Sequence, residues 1–260
     1  MSRLFNPFIS MSIMTKQFSD PFEMEFNSDW GVGKLSSATA KIYNVNDETL
    51  QLCEPNKETK AQIIVNAGYD KDFGVVFLGD IVSFENKQTG NDYCLEMKLS
   101  DKSAKLLSAR VAKNYPAGMS SSLIITDILS SYGLFFFTID PTTQKVFTKG
   151  LSLNDSLGNA LKKIAKDINS DFYLKNGQAV FQSKDPLNMV PCMILSYDSG
   201  LLQISKTGKG YNVKCLFQYK IGAGDWVMII SEKYTGLLRA VNGKHTFTAG
   251  NRTTEFEGVV

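Results

Sequence analysis

Residues able to do acid, base, nucleophilic or metal chemistry are few in this chain and poorly spaced for it. His245 is the single histidine among 260 residues. Sites with two histidine ligands are therefore excluded, and no spacing names an acid partner for a triad. Its neighbours Lys244, Thr246 and Phe247 read as an exposed strand, so His245 is expected to be structural or solvated. Glu255 and Glu257 stand two apart in a strand pattern and so share a face. Paired carboxylates can hydrolyse glycosides, but a solvated strand face is the simpler account. Gly208-Lys209-Gly210 lacks the spacing of a phosphate loop. Gly222 and Gly224 lack the third glycine and following helix of a dinucleotide site. Cys53, Cys94, Cys192 and Cys215 form no C-x-x-C pair and read as reduced thiols. The expectation is no catalytic residue, no metal, no cofactor, and a chain that is not an enzyme.

The scaffold must then carry the function. Hydrophobic residues make up 43% and charged residues 21%, which fits a packed chain and excludes wholesale disorder. Lys and Arg number 28 against 26 Asp and Glu, a net charge of +2 without the basic excess of a nucleic-acid wrapper. No apolar run approaches the roughly 20 residues that cross a bilayer. Asn6, Pro7, Ser10 and Ser12 interrupt any signal-peptide core behind Arg3.

The first hundred residues read as β-structure. Two short apolar runs lie in 13–26, followed by a turn-rich stretch from Asn27 to Gly33. Strand patterns follow at 38–45, 61–69 and 73–85, with a turn or capped helical turn at Asn46–Thr49. Gly79 inside the 73–85 run predicts a bulge or bend. Thr89-Gly90-Asn91-Asp92 predicts a hairpin turn, and Tyr93, Leu95, Met97 and Leu99 alternate as a strand does.

The pattern changes near residue 100. Asp101–Ala109 has helical spacing, and Ser120–Gly133 is a clearer helix with Gly133 at its C′ position. Ser152 and Asp155 form a capping signature ahead of a helix over 153–168. Leu157, Leu161, Ile164 and Ile168 make its apolar stripe, opposite Lys162, Lys163 and Lys166. Asn176-Gly177 is the strongest short hairpin signal in the chain. Beyond a junction at Lys184-Asp185-Pro186, strands return at 190–195, 211–217 and 226–230. Segments 236–248 and 252–257 are expected to pair through Ala249-Gly250-Asn251. No short-period repeat is visible. The order predicts a mainly β chain with an α+β insert, divided at 1–100, 101–185 and 186–260.

Three stretches, taken together and in order, resemble a known family. AKIYNVNDETL at 40–50 runs into AQIIVNAGYDKDFGVVFLGDI at 61–81. YPAGMS at 115–120 is followed by a helix and by FTKGLSLNDSLGNAL at 147–161. YNVKCLFQYKIGAGDWVMIIS at 211–231 precedes GLLRAVNGKH and RTTEFEG. This series resembles the tail-tube-like baseplate hub proteins of contractile-tailed, Mu-like phages. The matching motif positions are Asn44, Gly68, Tyr69, Gly79, Asp80, Gly224, Asp225 and Gly258. The resemblance implies two tail-tube-like β-barrel domains flanking the insert, with Gly79-Asp80 and Gly224-Asp225 as corresponding Gly-Asp turns. It implies a homotrimer, pseudo-sixfold, that joins the tail tube or a distal tail protein to the central spike and to other baseplate proteins. Phage DNA would pass through its lumen without sequence-specific binding, in the virion tail, with no membrane insertion. A tail-tip cell-wall hydrolase, an oligosaccharide- or nucleic-acid-binding barrel, and a part of a bacterial contractile injection system stand as alternatives.

Overall fold

The structure is a computed structural model that describes residues 6–54, 61–101, 106–134, 137–140, 144–184 and 191–260. In chain order the first elements are β1 (Pro7–Ile13), β2 (Lys16–Phe18), β3 (Met24–Gly31), β4 (Ser37–Tyr43), α1 (Asp47–Cys53), β5 (Gln62–Tyr69), β6 (Asp72–Thr89) and β7 (Asp92–Asp101). Next come β8 (Arg110–Tyr115), β9 (Met119–Ser120), α2 (Ser121–Ser131), β10 (Phe137–Ile139), β11 (Val146–Phe147), β12 (Leu151–Ser156), α3 (Leu157–Asp167), β13 (Ser170–Lys175) and β14 (Gln178–Ser183). The last are β15 (Met193–Ser196), β16 (Leu201–Lys206), β17 (Tyr211–Leu216), β18 (Trp226–Ile230), β19 (Thr235–Phe247) and β20 (Arg252–Val259). The fold is mainly β. The described residues fall into two compact units, one within 1–31, 36–102 and 190–260, the other within 32–35 and 103–189.

The larger unit rests on one sheet of thirteen strands. Its path is β16-β17-β20-β19-β3-β4-β7-β6-β5-β1-β2, with β15 and β18 attached at β19. The two ends of the chain meet where Asn242–Phe247 of β19 pairs with Phe26–Gly31 of β3. Two four-strand groups flank that junction. In β3-β4-β7-β6 the first, second, fourth and third strands of the group lie side by side, and β16-β17-β20-β19 repeats the order. Neighbours along this stretch are antiparallel throughout. The third strand of each group is long and serves two partners. β6 pairs with β5 through Asp72–Asp80 and with β7 through Gly79–Thr89. β19 pairs with β18 through Thr235–Arg239 and with β20 through Arg239–Phe247.

Alternation explains the layers. In β3 the side chains of Met24, Phe26, Ser28 and Trp30 point inward, while Asn27 and Asp29 point out. The inward face joins a core of Met11, Ile13, Ile42, Ile63, Leu95 and Met97, to which Phe217 and Phe247 come from the C-terminal share. The smaller unit has its own core. Ile124, Ile128 and Leu129 of α2 pack with Leu157, Leu161 and Ile164 of α3 and with Phe172 and Phe181 of the β13–β14 hairpin. Asn176 and Gly177 turn that hairpin at φ 50° and 74°, the geometry a two-residue primed turn requires.

Several expectations need correcting. The stretch from Asn27 is strand β3 as far as Gly31, because pairing on both sides with β4 and β19 outweighs its polar, turn-prone residues. Gly79 is not a bulge. The extra residues are Val76 and Val82, skipped where β6 shifts register against β5 and β7. Gly79 instead permits close approach, since a Cβ there would stand 2.2 Å from the Ser100 carbonyl oxygen. Gly79-Asp80 lies mid-strand whereas Gly224-Asp225 precedes β18, so the two pairs are not corresponding turns. The described part of Asp101–Ala109 holds only a 3-10 turn at Leu106–Ser108. Residues 151–156 form β12 against β8, so the helix begins at Leu157 with Ser156 as its cap. Asp155 accepts from the Ser156 and Asn159 nitrogens at 2.6 and 2.9 Å rather than boxing with Ser152. Residues 102–105 and Asp185-Pro186 lie outside the described residues.

Candidate assembly site

Of the residues singled out for chemistry, His245, Cys53, Cys94 and Cys215 are buried and Cys192 is exposed. His245 is buried at 3% exposure, against the expectation of an exposed strand. Its Nδ1 lies 2.9 Å from Thr254 Oγ1, and its ring sits between Trp30 and Phe217 at 5.7 and 5.4 Å. The cause is parity. His245 belongs to a row of directly opposed residues, Cys215, Thr254, His245, Ser28, Ala38, Leu99 and Ile81, that all face the core. Burial pushes the Cys215 thiol up to about 12 and the Cys53 thiol up to about 11, away from nucleophilic use. Among the described residues no group of three His, Cys, Asp or Glu is placed to hold a metal ion. Among the described residues no helix is long and apolar enough to cross a membrane.

The motif positions do not converge on one cleft; they fix turns and close contacts. Asn44 takes φ 56° and clamps the turn end of the β6–β7 hairpin. Its Nδ2 donates to Asp92 Oδ1 at 2.8 Å, and its Oδ1 accepts from the Tyr93 amide at 3.0 Å. Gly68 lets β6 cross close by, since a Cβ would meet the Asp72 carbonyl at 2.4 Å. Tyr69 is buried and its hydroxyl is pushed up by that burial, partly offset by a hydrogen bond with the Phe217 backbone and by Arg252. Asp80 lies opposite Ser100 and Gln62. Gly224, Asp225 and Gly258 are brought together at Ala240. The Gly224 amide donates to the Ala240 carbonyl, the Ala240 amide donates to the Asp225 carbonyl, both at 2.8 Å, and Gly258 faces Ala240 across β20. Asp225 Oδ2 also accepts from the Gly222 amide at 2.8 Å.

The face opposite the core carries polar rows that cross the sheet. Residues directly opposed in an antiparallel ladder share a side of the sheet. One such row runs Gln203, Lys214, Glu255, Lys244 and Asp29, then continues through Ser37, Ser100, Asp80 and Gln62. No apolar side chain interrupts it. A parallel row holds Glu25, Lys41, Glu96 and Glu85. Lysines and carboxylates interleave: Glu255 lies 3.0 Å from both Lys214 and Lys244, and Lys41 lies 3.3 Å from Glu25. Partial burial alone would raise the Glu255 carboxyl; the two lysines outweigh it and hold it below its ordinary value. The sheet thus presents a broad polar wall, with six carboxylates against three lysines in these two rows, backed by an apolar core.

Two edges of the eight-strand stretch bear no strand partner among the described residues: the outer side of β16, and β6 from Val82 onward. Residues 85–93 at the tip of the β6–β7 hairpin are all exposed. The sequence reading missed β16. A bulge at Leu202 breaks its alternation, so Leu201 and Leu202 stand side by side where a regular strand would show one apolar residue. It also missed β1, although Ile9, Met11 and Ile13 alternate there with Ser10 and Ser12 as a strand requires.

No protein-family model matches the chain, and no curated protein matches its sequence. Solved structures do. A tail protein from Neisseria meningitidis is similar over 98% of this chain and 97% of its own, with TM-score 0.73 and 10% identity. The 43 kDa tail protein of prophage MuSo2 from Shewanella oneidensis is similar over 98% of both chains, with TM-score 0.70 and 9% identity. An E. coli component of the type VI secretion system, described as structurally similar to bacteriophage T4 tail proteins, is similar over 96% of this chain and 76% of its own, with TM-score 0.62 and 10% identity. The fold is that of phage tail proteins.

Proposed function

We propose that this chain is a structural, non-catalytic tail component: a baseplate hub that assembles as a homotrimer and joins the tail tube, directly or through a distal tail protein, to the central spike. The likeness of fold to phage tail proteins supports a tail role. The observation that carries the hub reading is the sheet itself. Two four-strand groups of one order stand side by side in a single chain, with a polar row running across the whole of one face and, among the described residues, an edge without a strand partner at each end. Three such chains supply six groups, enough for a pseudo-sixfold wall on a threefold axis. Each group with its crossing strands corresponds in this reading to one tube-like barrel domain. The polar wall faces the lumen, where interleaved Lys and Glu give no basic cluster to hold passing DNA. Other baseplate proteins surround the assembly, in the tail of a virion.

The type VI component among the similar structures favours a second reading, the same hub in a bacterial contractile injection system. Electron microscopy of the assembled particle tests the main proposal. Threefold symmetry with one chain per third is expected. Six identical chains per ring would make it a tube subunit, and a monomer with a ligand in a cleft would end the hub reading.

A further inference from the structure

The two four-strand groups share more than strand order, and their shared detail predicts a contact between copies. In each group the long third strand leaves its first partner at the same hydrogen bond. The Ile81 amide donates to the Ala61 carbonyl, and the Ala240 amide donates to the Asp225 carbonyl, both at 2.8 Å. One residue later each strand bulges, at Val82 and at Val241. Each then runs to a two-residue turn, Thr89 to Asp92 in one group and Thr248 to Asn251 in the other. Counting from the bulges, Glu85 matches Lys244, and Lys87 matches Thr246. Across the ladders, Glu96 and Lys41 match Glu255 and Lys214, and beyond them Glu25 matches Gln203. Asn27 and Ser28 of β3 therefore match Ser205 and Lys206 of β16.

Within the chain, the third strand of one group pairs with the first strand of the other: His245 opposes Ser28 and Thr246 opposes Asn27. The same two kinds of edge are open at the ends of the stretch. We infer that β6 of one copy pairs with β16 of the next, in the register that places Asn86 opposite Lys206 and Lys87 opposite Ser205. The inference rests on the ring reading above and names the junction that closes it.

Three independent features agree with this register. The eight strands alternate in direction, so the two end strands run oppositely and their union is antiparallel, as every other junction is. The backbone phase fits as well. The Thr207 amide donates inward to Gly210, so the Lys206 amide points outward, and the two-residue turn at Gly90-Asn91 sets the Asn86 amide outward likewise. Asn86 and Lys206 then exchange both backbone bonds. Finally, Lys87 and Ser205 lie on the polar side, so the wall stays continuous, and no like charges oppose one another: Glu85 meets Thr207 and Lys87 meets Ser205.

The test is a disulfide across the junction. Lys87 and Ser205 fall at a non-hydrogen-bonded pair, with Cα atoms about 4.5 Å apart, inside the range a disulfide spans. Lys87→Cys and Ser205→Cys are combined in a Cys192→Ser background, which removes the exposed native thiol. On mild oxidation the expected product is a covalently closed trimer on non-reducing denaturing gels, absent from either single-cysteine chain and from a Lys87→Cys, Gln203→Cys pair. Hydrogen exchange on the unmodified chain gives a second readout, with the Asn86 and Lys206 amides gaining protection on assembly. A threefold particle with neither cross-link nor protection overturns the junction and leaves the hub reading standing. Cross-linked rings of another symmetry overturn the hub reading and keep the junction. A chain that stays monomeric at every concentration overturns both.

Discussion

Replacing Phe217 with alanine probes whether the two ends of the chain make one cooperative body. Phe217 follows β17, is fully buried, and belongs to the core lined by Phe26, Ala67 and Tyr69 from the N-terminal share. Its ring meets Phe247 edge-on at 5.2 Å and lies 5.4 Å from His245. Burying a phenylalanine stabilises by about 1.5–3 kcal/mol, and the cavity left by truncation brings the loss to about 3–5 kcal/mol. Against a total of about 5–15 kcal/mol that is a large share. At about 2–4 °C per kcal/mol the melting midpoint should fall by about 6–20 °C. Differential scanning calorimetry with amide exchange by region is the assay. Strands β3, β4 and β7 should lose protection together with β17, β19 and β20. Phe22, 41% exposed, provides the control, and its alanine variant should cost below about 1 kcal/mol. If Phe217→Ala releases only residues 193–260 in a transition of their own, the shared core is not what joins the two shares.

Other outcomes follow from particular contacts. Gly79→Val forces a side chain against the Ser100 carbonyl and the Phe77 ring, so the larger unit should lose at least about 3 kcal/mol in denaturant melts. Asn44→Ala removes two hydrogen bonds and strains a left-handed backbone position, so the β6–β7 hairpin should exchange its amides faster at a cost of about 1–2 kcal/mol. Leu161→Ala empties part of the separate core of the smaller unit and should lower one calorimetric transition while leaving that of the larger unit in place, by about 2–5 kcal/mol. Glu255 has a folded pKa below its ordinary 4.5. Its stabilising share is fully present above about pH 4.5 and is lost as pH falls through the folded pKa, so Glu255→Gln should flatten the acid limb of a stability–pH profile.

Legibility in the sequence followed local chemistry. The Asn176-Gly177 hairpin, the Ser120 cap of α2, and the alternation of β7 and β17 were readable because each signal lies within a few residues. The turn over Asn27–Gly31 was misread because what makes it a strand is the pairing with β4 and β19, and β19 lies more than 200 residues away. His245 was misplaced for the same reason. A strand's period says which residues share a face, but only the sheet says which face is inside. The repeated strand order left no sequence repeat, since the two groups share backbone pairing and bulge position while their side chains differ: Asn86 stands where the other group has His245. Among the motif positions, Asn44 at φ 56° and Gly224 at φ 80° stand where unusual backbone demands particular residue types, while Gly68, Gly79 and Gly258 stand where a Cβ would meet a neighbour within 3.0 Å. The polar wall was not found, because it is assembled from single residues on nine strands.

The bulges at Val82 and Val241 have a mechanical consequence. Because β6 and β19 each pass unbroken from one set of partners to another, the two sets are tied by covalent chain as well as by side-chain packing. A load that would peel one set from the other must stretch two continuous backbones and shear many ladder bonds at once, instead of opening a packed boundary one contact at a time. Such a layout suits a part that has to keep its geometry while its neighbours in a larger machine push and turn against it.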